Sequence, residues 1–83
     1  MAMTENNIKK LGFNKCVVTA EESGYDKDYY YYERSIGDLC LLSNDNANRV
    51  DGKWYVEIPE GSIRFFKYVE LKNLIGLLER NKY

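Results

Sequence analysis

Residues 54–66 read WYVEIPEGSIRFF, and the fold turns on this stretch. Trp54, Val56 and Ile58 alternate with Tyr55 and Glu57, the two-residue period of a strand whose two faces differ. Pro59 has no N–H to give a ladder and ends that strand. Ile58-Pro59-Glu60-Gly61 has proline at the second and glycine at the fourth place of a type I turn, after which Ile63 to Phe66 resume the alternation. Such a turn predicts Val56 opposite Ile63 and Trp54 opposite Phe65 on one face. On the other face it sets Tyr55 beside Arg64 and Lys53 beside Phe66.

Working outward, Val69 to Arg80 (VELKNLIGLLER) places Leu71, Leu74, Ile75 and Leu78 at i, i+3, i+4 and i+7, which predicts an amphipathic helix. Upstream, Tyr29 to Ile36 (YYYYERSI) reads as a strand, and Gly37-Asp38 supplies a glycine at the first central place of a II′ turn. The returning segment, from Leu39, then sets Ile36 against Leu39, Arg34 against Leu41 and Tyr32 against Ser43, with Glu33 against Leu42 and Ser35 against Cys40 on the reverse. Phe13 to Ala20 (FNKCVVTA) is rich in β-branched residues and predicts a first strand, closed by a polar connection, Glu21 to Asp28, with a Ser23-Gly24 turn. Thr4 is placed to cap a short helix over Glu5 to Lys10, stopped by Gly12. The 83 residues, with one proline and six glycines, make one small domain over 1–83. Its class is α+β: a four- to five-stranded, mainly antiparallel sheet, with a C-terminal amphipathic helix packed on one face and a short N-terminal helix. The expected core sets Trp54, Val56, Ile63, Phe65, Ile36, Leu39 and Leu41 against Leu71, Leu74, Ile75 and Leu78.

The composition excludes much. There is no histidine, which removes the commonest base near neutral pH, the nucleophile pairs built on it and nearly all catalytic zinc sites. Cys16 and Cys40 stand alone, without a CxxC, and read as small core hydrophobes, although a pairing between them stays open. No stretch is apolar enough for a signal peptide or membrane span. With two thiols and no export signal, the expected compartment is the cytoplasm. Charge is uneven: residues 21–59 carry nine acidic side chains against four basic, while both ends are slightly basic.

The tyrosine run is the most unusual feature. Alternation sends Tyr30 and Tyr32 with Ile36 to the core side, and Tyr29 and Tyr31 with Glu33 to the other, where Leu42, Tyr55, Arg64 and Phe66 join them. Aromatics and arginine on one sheet face have the composition of an interface core. Two other readings stand beside that one: the N-terminal helix covers this face, or the rings lie flat in water as ordinary strand formers. Asp26, Asp28, Glu33 and Arg34 around the run equally suit gatekeepers against aggregation. In the loop from Asn44 to Gly52, which closes on an Asp51-Gly52 turn, the alternation of Asn44, Asn46 and Asn48 resembles calcium ligands. Arg49 stands where such a loop needs glycine and Tyr55 where it needs the bidentate glutamate, so a solvated turn is preferred. The carboxylates Glu21, Glu22, Asp26 and Asp28 lie in a polar connection that would not perturb them.

The strings LGF (11–13), YYYYERSIGDLCLLSND (29–45), WYVEI (54–58), IRF (63–65) and ELKNLI (70–75) together resemble short proteins encoded in phages and integrated elements of Bacteroides-like bacteria. The resemblance spans most of residues 11–80 and implies a setting, a small accessory protein of a mobile element, with no activity or site residues to carry over. The function expected from the residues is a non-enzymatic protein-interaction module with no cofactor or metal. It binds a protein partner or itself, as a homodimer, through Tyr29, Tyr31, Leu42, Tyr55, Arg64 and Phe66. The alternative is a single-stranded nucleic-acid module with rings stacked on bases. It is disfavoured because no RNP-type octapeptide occurs and Asp26, Asp28, Glu33 and Asp38 flank the rings with repelling charge.

Overall fold

The computed structural model describes residues 3–24, 26–46 and 53–82. Helix α1 (Glu5–Lys10) starts at Thr4, whose hydroxyl accepts from the Asn7 N–H while the Asn7 side chain accepts from the Thr4 N–H, a capping box. Gly12 ends the turn at φ +83. Strand β1 (Asn14–Val18) follows, then a single-turn helix α2 (Ala20–Ser23), strands β2 (Tyr29–Ile36), β3 (Leu39–Ser43), β4 (Val56–Ile58) and β5 (Ile63–Phe65), and helix α3 (Tyr68–Asn81). The strands form one antiparallel sheet in chain order, β1-β2-β3-β4-β5. This is the expected α+β architecture.

The β2–β3 hairpin has the predicted register, Ile36 against Leu39 through Glu33 against Leu42. Of its two turn residues only Gly37 has positive φ, at +59, as a II′ turn requires. The β4–β5 register differs from expectation by two residues: Ile58 lies opposite Ile63, Glu57 opposite Arg64 and Val56 opposite Phe65. Pro59–Gly61 form a 3₁₀ turn and Ser62 adds a left-handed residue at φ +53, so the connection is four residues long rather than two. A shift of two preserves the side-chain faces, since the strand period is two. Trp54 is therefore not paired with Phe65, and Ile63, expected in the core, is 50% exposed. Trp54 and Tyr55 also precede the ladder instead of belonging to it. Asn44 holds them: its amide oxygen accepts from the Tyr55 N–H, its own N–H donates to the Tyr55 carbonyl, and its side-chain amide donates to the Lys53 carbonyl.

The connection after β1 is more ordered than a polar loop. Thr19 caps α2, the Asp28 carboxylate accepts the Ala20 N–H at 2.7 Å, and Gly24 closes the turn at φ +78. Asp28 thus has a structural partner rather than acting as solvating charge. The expected Asp51-Gly52 turn lies outside the described residues.

Helices α1 and α3 lie on the same side of the sheet. Ile8 from α1, Leu11 at its C-cap, and Leu71 and Ile75 from α3 join Phe13, Tyr32, Ile36, Leu41, Trp54 and Val56 in one buried cluster, with Met3. The N-terminal helix consequently does not cover the Tyr29–Tyr31 face. Three polar side chains of β2 hold α1 and α3 down. The Tyr32 hydroxyl donates to Glu5, as does that of Tyr30 at 3.3 Å. Arg34 donates to the Leu11 carbonyl at the end of α1 and pairs with Glu79 of α3 at 2.6 Å. Arg34 is a tie between helices, not a gatekeeper.

Trp54 is 5% exposed, its ring stacked against Tyr30 at 6.2 Å and edge-on to Tyr32 at 5.8 Å. Trp54→Ala is expected to cost about 3–5 kcal/mol in urea unfolding, most of the stability of so small a domain, whereas Tyr55→Ala on the reverse face costs much less. Equal losses would contradict a one-sided core. The hydrogen bond from Tyr32, with that from Tyr30, holds the Glu5 carboxyl below its ordinary 4.5 despite partial burial. A depressed carboxylate pKa contributes stability above the unfolded value and loses it as pH falls through the folded one. Tyr32→Phe should cost about 1–2 kcal/mol at neutral pH, and its stability should fall less steeply than the wild type's on acidification below 4.5.

Candidate functional site

Alternation along β2 turns Tyr29, Tyr31 and Glu33 away from the helices. The register sets Val18 beside Tyr29, Cys16 beside Tyr31, and Leu42 between Glu33 and Glu57. A continuous face thus crosses all five strands with neither α1 nor α3 over it.

Four of the residues expected at an interface, Tyr29, Tyr31, Leu42 and Tyr55, line one shallow depression of about 370 Å³, with Asn44 and Asp45 at its edge. The other two adjoin it. The Arg64 guanidinium lies 4.7 Å over the Tyr55 ring and reaches Glu57 at 3.4 Å, and the Phe66 ring is 5.3 Å from that of Tyr55. All six therefore come together on one surface. Tyr29, Tyr31, Leu42 and Tyr55 are half-buried, while Arg64 and Phe66 are exposed. A half-buried ring keeps apolar area available to a partner without leaving its strand.

Three contributors are not on the expected roster. Ser43 accepts the Tyr32 N–H at 2.8 Å, and Asn46 accepts the Tyr30 N–H at 2.9 Å. Together with Asn44 they replace backbone ladder bonds by side-chain ones and fix where Tyr55 enters the rim. The only trace of this in the chain is a polar Ser43-Asn44 pair directly after the apolar Leu39–Leu42 run. With the Asn44 and Asn46 amides so engaged, the loop's resemblance to a calcium site has no free ligands at those two positions; Asn48 lies outside the described residues.

The cysteines are not core residues. Both are unpaired and half-buried, and both belong to the open face, Cys16 beside Tyr31 and Cys40 beside Ser35. With β2 between β1 and β3, their backbones stand roughly 9–10 Å apart or more, beyond disulfide reach. Burial pushes the Cys16 thiol up, and Glu33 adds to the rise; burial likewise raises the Tyr31 phenol. A thiol so placed is a poor nucleophile. Among the described residues no group of three Cys, Asp or Glu side chains is placed to hold a metal ion.

A larger groove of about 490 Å³ lies between the Gly37 turn and the end of α3, lined by Ile36, Leu39 and Leu78 with Asn81 and Lys82. None of the described residues lining it is aromatic, and none is an expected interface residue. Comparison with family models, with curated proteins and with solved structures finds no match.

Alkylation of Cys16 in a Cys40→Ser background should be slow at neutral pH and accelerate only above the ordinary thiol range. Glu33→Gln should move that rise to lower pH, which a pH series of labelling rates would show.

Proposed function

We propose that this chain is a non-enzymatic binding module that captures a protein partner on the open face formed by Tyr29, Tyr31, Leu42, Tyr55, Arg64 and Phe66. The carrying observation is the shared depression of Tyr29, Tyr31, Leu42 and Tyr55 on a face that neither α1 nor α3 covers. Rings held half-buried by their own sheet lose little entropy on binding, which favours them as anchors. The face carries Glu33, Glu57 and Asp45 against Arg64, which itself pairs with Glu57. Its charge balance therefore repels phosphate and supports a protein over a nucleic acid. In the mobile-element setting that the resemblance implies, the partner is a host protein, met in the cytoplasm where unpaired thiols persist. No helix among the described residues is long and apolar enough to cross a membrane.

The test compares wild type with a Tyr29→Ser, Tyr31→Ser double variant in immobilised capture from host lysate, alongside Lys72→Ser on the exposed side of α3 as control. Proteins retained by wild type and control but lost by the double variant are expected, with its melting temperature lowered by only a few degrees because those rings are not core. Identical retention by all three would overturn the reading. So would salt-sensitive retention of a single-stranded oligonucleotide that the double variant loses.

A further inference from the structure

The sheet has two edges, and they are treated differently. Strand β5 is three residues long, and the N-terminal segment lies against its end, the Met3 N–H donating to the Phe66 carbonyl at 3.0 Å. Strand β1 is five residues long, pairs with β2 on one side, and has no strand among the described residues on the other. The backbone groups of Tyr30 and Tyr32 point towards the β3 side, bonded to Asn46 and Ser43. Those of Tyr29, Tyr31 and Glu33 therefore point to β1, where they meet Val18, Cys16 and Asn14. The N–H and C=O groups of Lys15 and Val17 are left facing outward along the free edge.

Natural edges are commonly guarded by a lysine. Here the Lys15 ammonium is drawn inward, 4.1 Å over the ring of Tyr30 on the neighbouring strand. Val17, the other residue with outward backbone groups, is 57% exposed. The five residues of this edge, Asn14–Val18, contain no proline and no charge other than Lys15.

We infer that β1 pairs antiparallel with β1 of a second copy, joining two five-stranded sheets into one closed dimer. A two-fold axis normal to the sheet makes the pairing antiparallel, and full overlap of the strand centres it on Cys16. Lys15 then lies opposite Val17 of the second copy in hydrogen-bonded positions, and about four backbone bonds form. Slipping the register to centre on Lys15 would set two ammonium groups face to face. Centring it on Val17 leaves Asn14 without a partner and runs the strand into α2. In the centred register Cys16 faces Cys16 of the second copy as a non-hydrogen-bonded pair, with Cα atoms about 4.5 Å apart, inside the range a disulfide spans. The inference does not rest on the aromatic face, although the same axis leaves both copies' aromatic faces on one side.

Two measurements test it. In a Cys40→Ser background, diamide should convert Cys16 thiols of two copies into an intermolecular disulfide, the two hydrogens passing to the diamide. Val17→Pro, which removes an outward donor that the fold itself does not use, should abolish that product with the circular dichroism unchanged. By sedimentation equilibrium, Val17→Glu should tighten the dimer and Val17→Lys loosen it by about fivefold each, through two symmetric cross-strand pairs with Lys15. A chain that stays monomeric at high concentration and forms no Cys16 disulfide overturns the inference. A dimer indifferent to the Val17 charge but lost in the Tyr29→Ser, Tyr31→Ser variant also overturns it, and assigns self-association to the aromatic face instead.

Discussion

The placement of α1 and α3 on one side of the sheet depends on Arg34. It stands on β2 with Tyr32 and Ile36, on the core side, where an arginine would ordinarily be costly to bury. Its guanidinium is satisfied twice, by the carbonyl that closes α1 and by Glu79 near the end of α3. A planar fork with five donors can span two acceptors in this way, which a lysine could not reproduce. Tyr32, two residues earlier, fixes the other end of α1 through Glu5. Two polar contacts from one strand thus pin a helix only six residues long, too short to be stable alone. Each polar group also leaves no unsatisfied partner behind, since no buried side-chain nitrogen or oxygen among the described residues lacks a hydrogen bond.

What was legible in the chain followed from period and turn chemistry. The limits of β2, the II′ hairpin and the Thr4 cap are local rules, each written in a few adjacent residues. The division of the tyrosines between two faces needs only alternation, so the six face residues were recoverable before any tertiary contact was known. The β4–β5 register was not. Pro59 and Gly61 suit a tight type I turn, yet Ser62 accepts a left-handed backbone, a choice no local preference of serine announces. Its face assignment survived because the error was an even number of residues.

Tertiary choices were hidden for a different reason. Ile8 and Leu11 offer an apolar stripe that fits either side of a sheet, and nothing in a six-residue helix says which. The decision lies in the contacts of Tyr30 and Tyr32 with Glu5 and of Arg34 with Leu11, each joining groups more than twenty positions apart in the chain. Asn44 was equally opaque. It is buried, 6% exposed, because its amide imitates a strand's donor and acceptor where β3 and β4 part company. In sequence it looks like the start of a solvated loop. The cysteines misled in the same direction: a small sulfur residue between Lys15 and Val17 looks like core until the pairing with Tyr31 sets its face.

Covering one face with two helices has a consequence for the other. A strand of eight residues that buries Tyr32 and Ile36 on one side must present Tyr29, Tyr31, Glu33 and Ser35 on the reverse. Polar residues throughout would have sufficed for solubility. Instead β2, β3 and the segment leading into β4 contribute tyrosines and a leucine around one depression, with Arg64 and Phe66 from the far strand and its end completing the ring contacts. Cross-strand aromatic pairing stabilises a sheet by only about 0.2–1 kcal/mol per pair, and β-branched polar residues would serve an exposed face nearly as well. Apolar rings left in contact with water on the face that neither α1 nor α3 covers are thus not required by the sheet itself, which is the ground for the recognition role proposed for them.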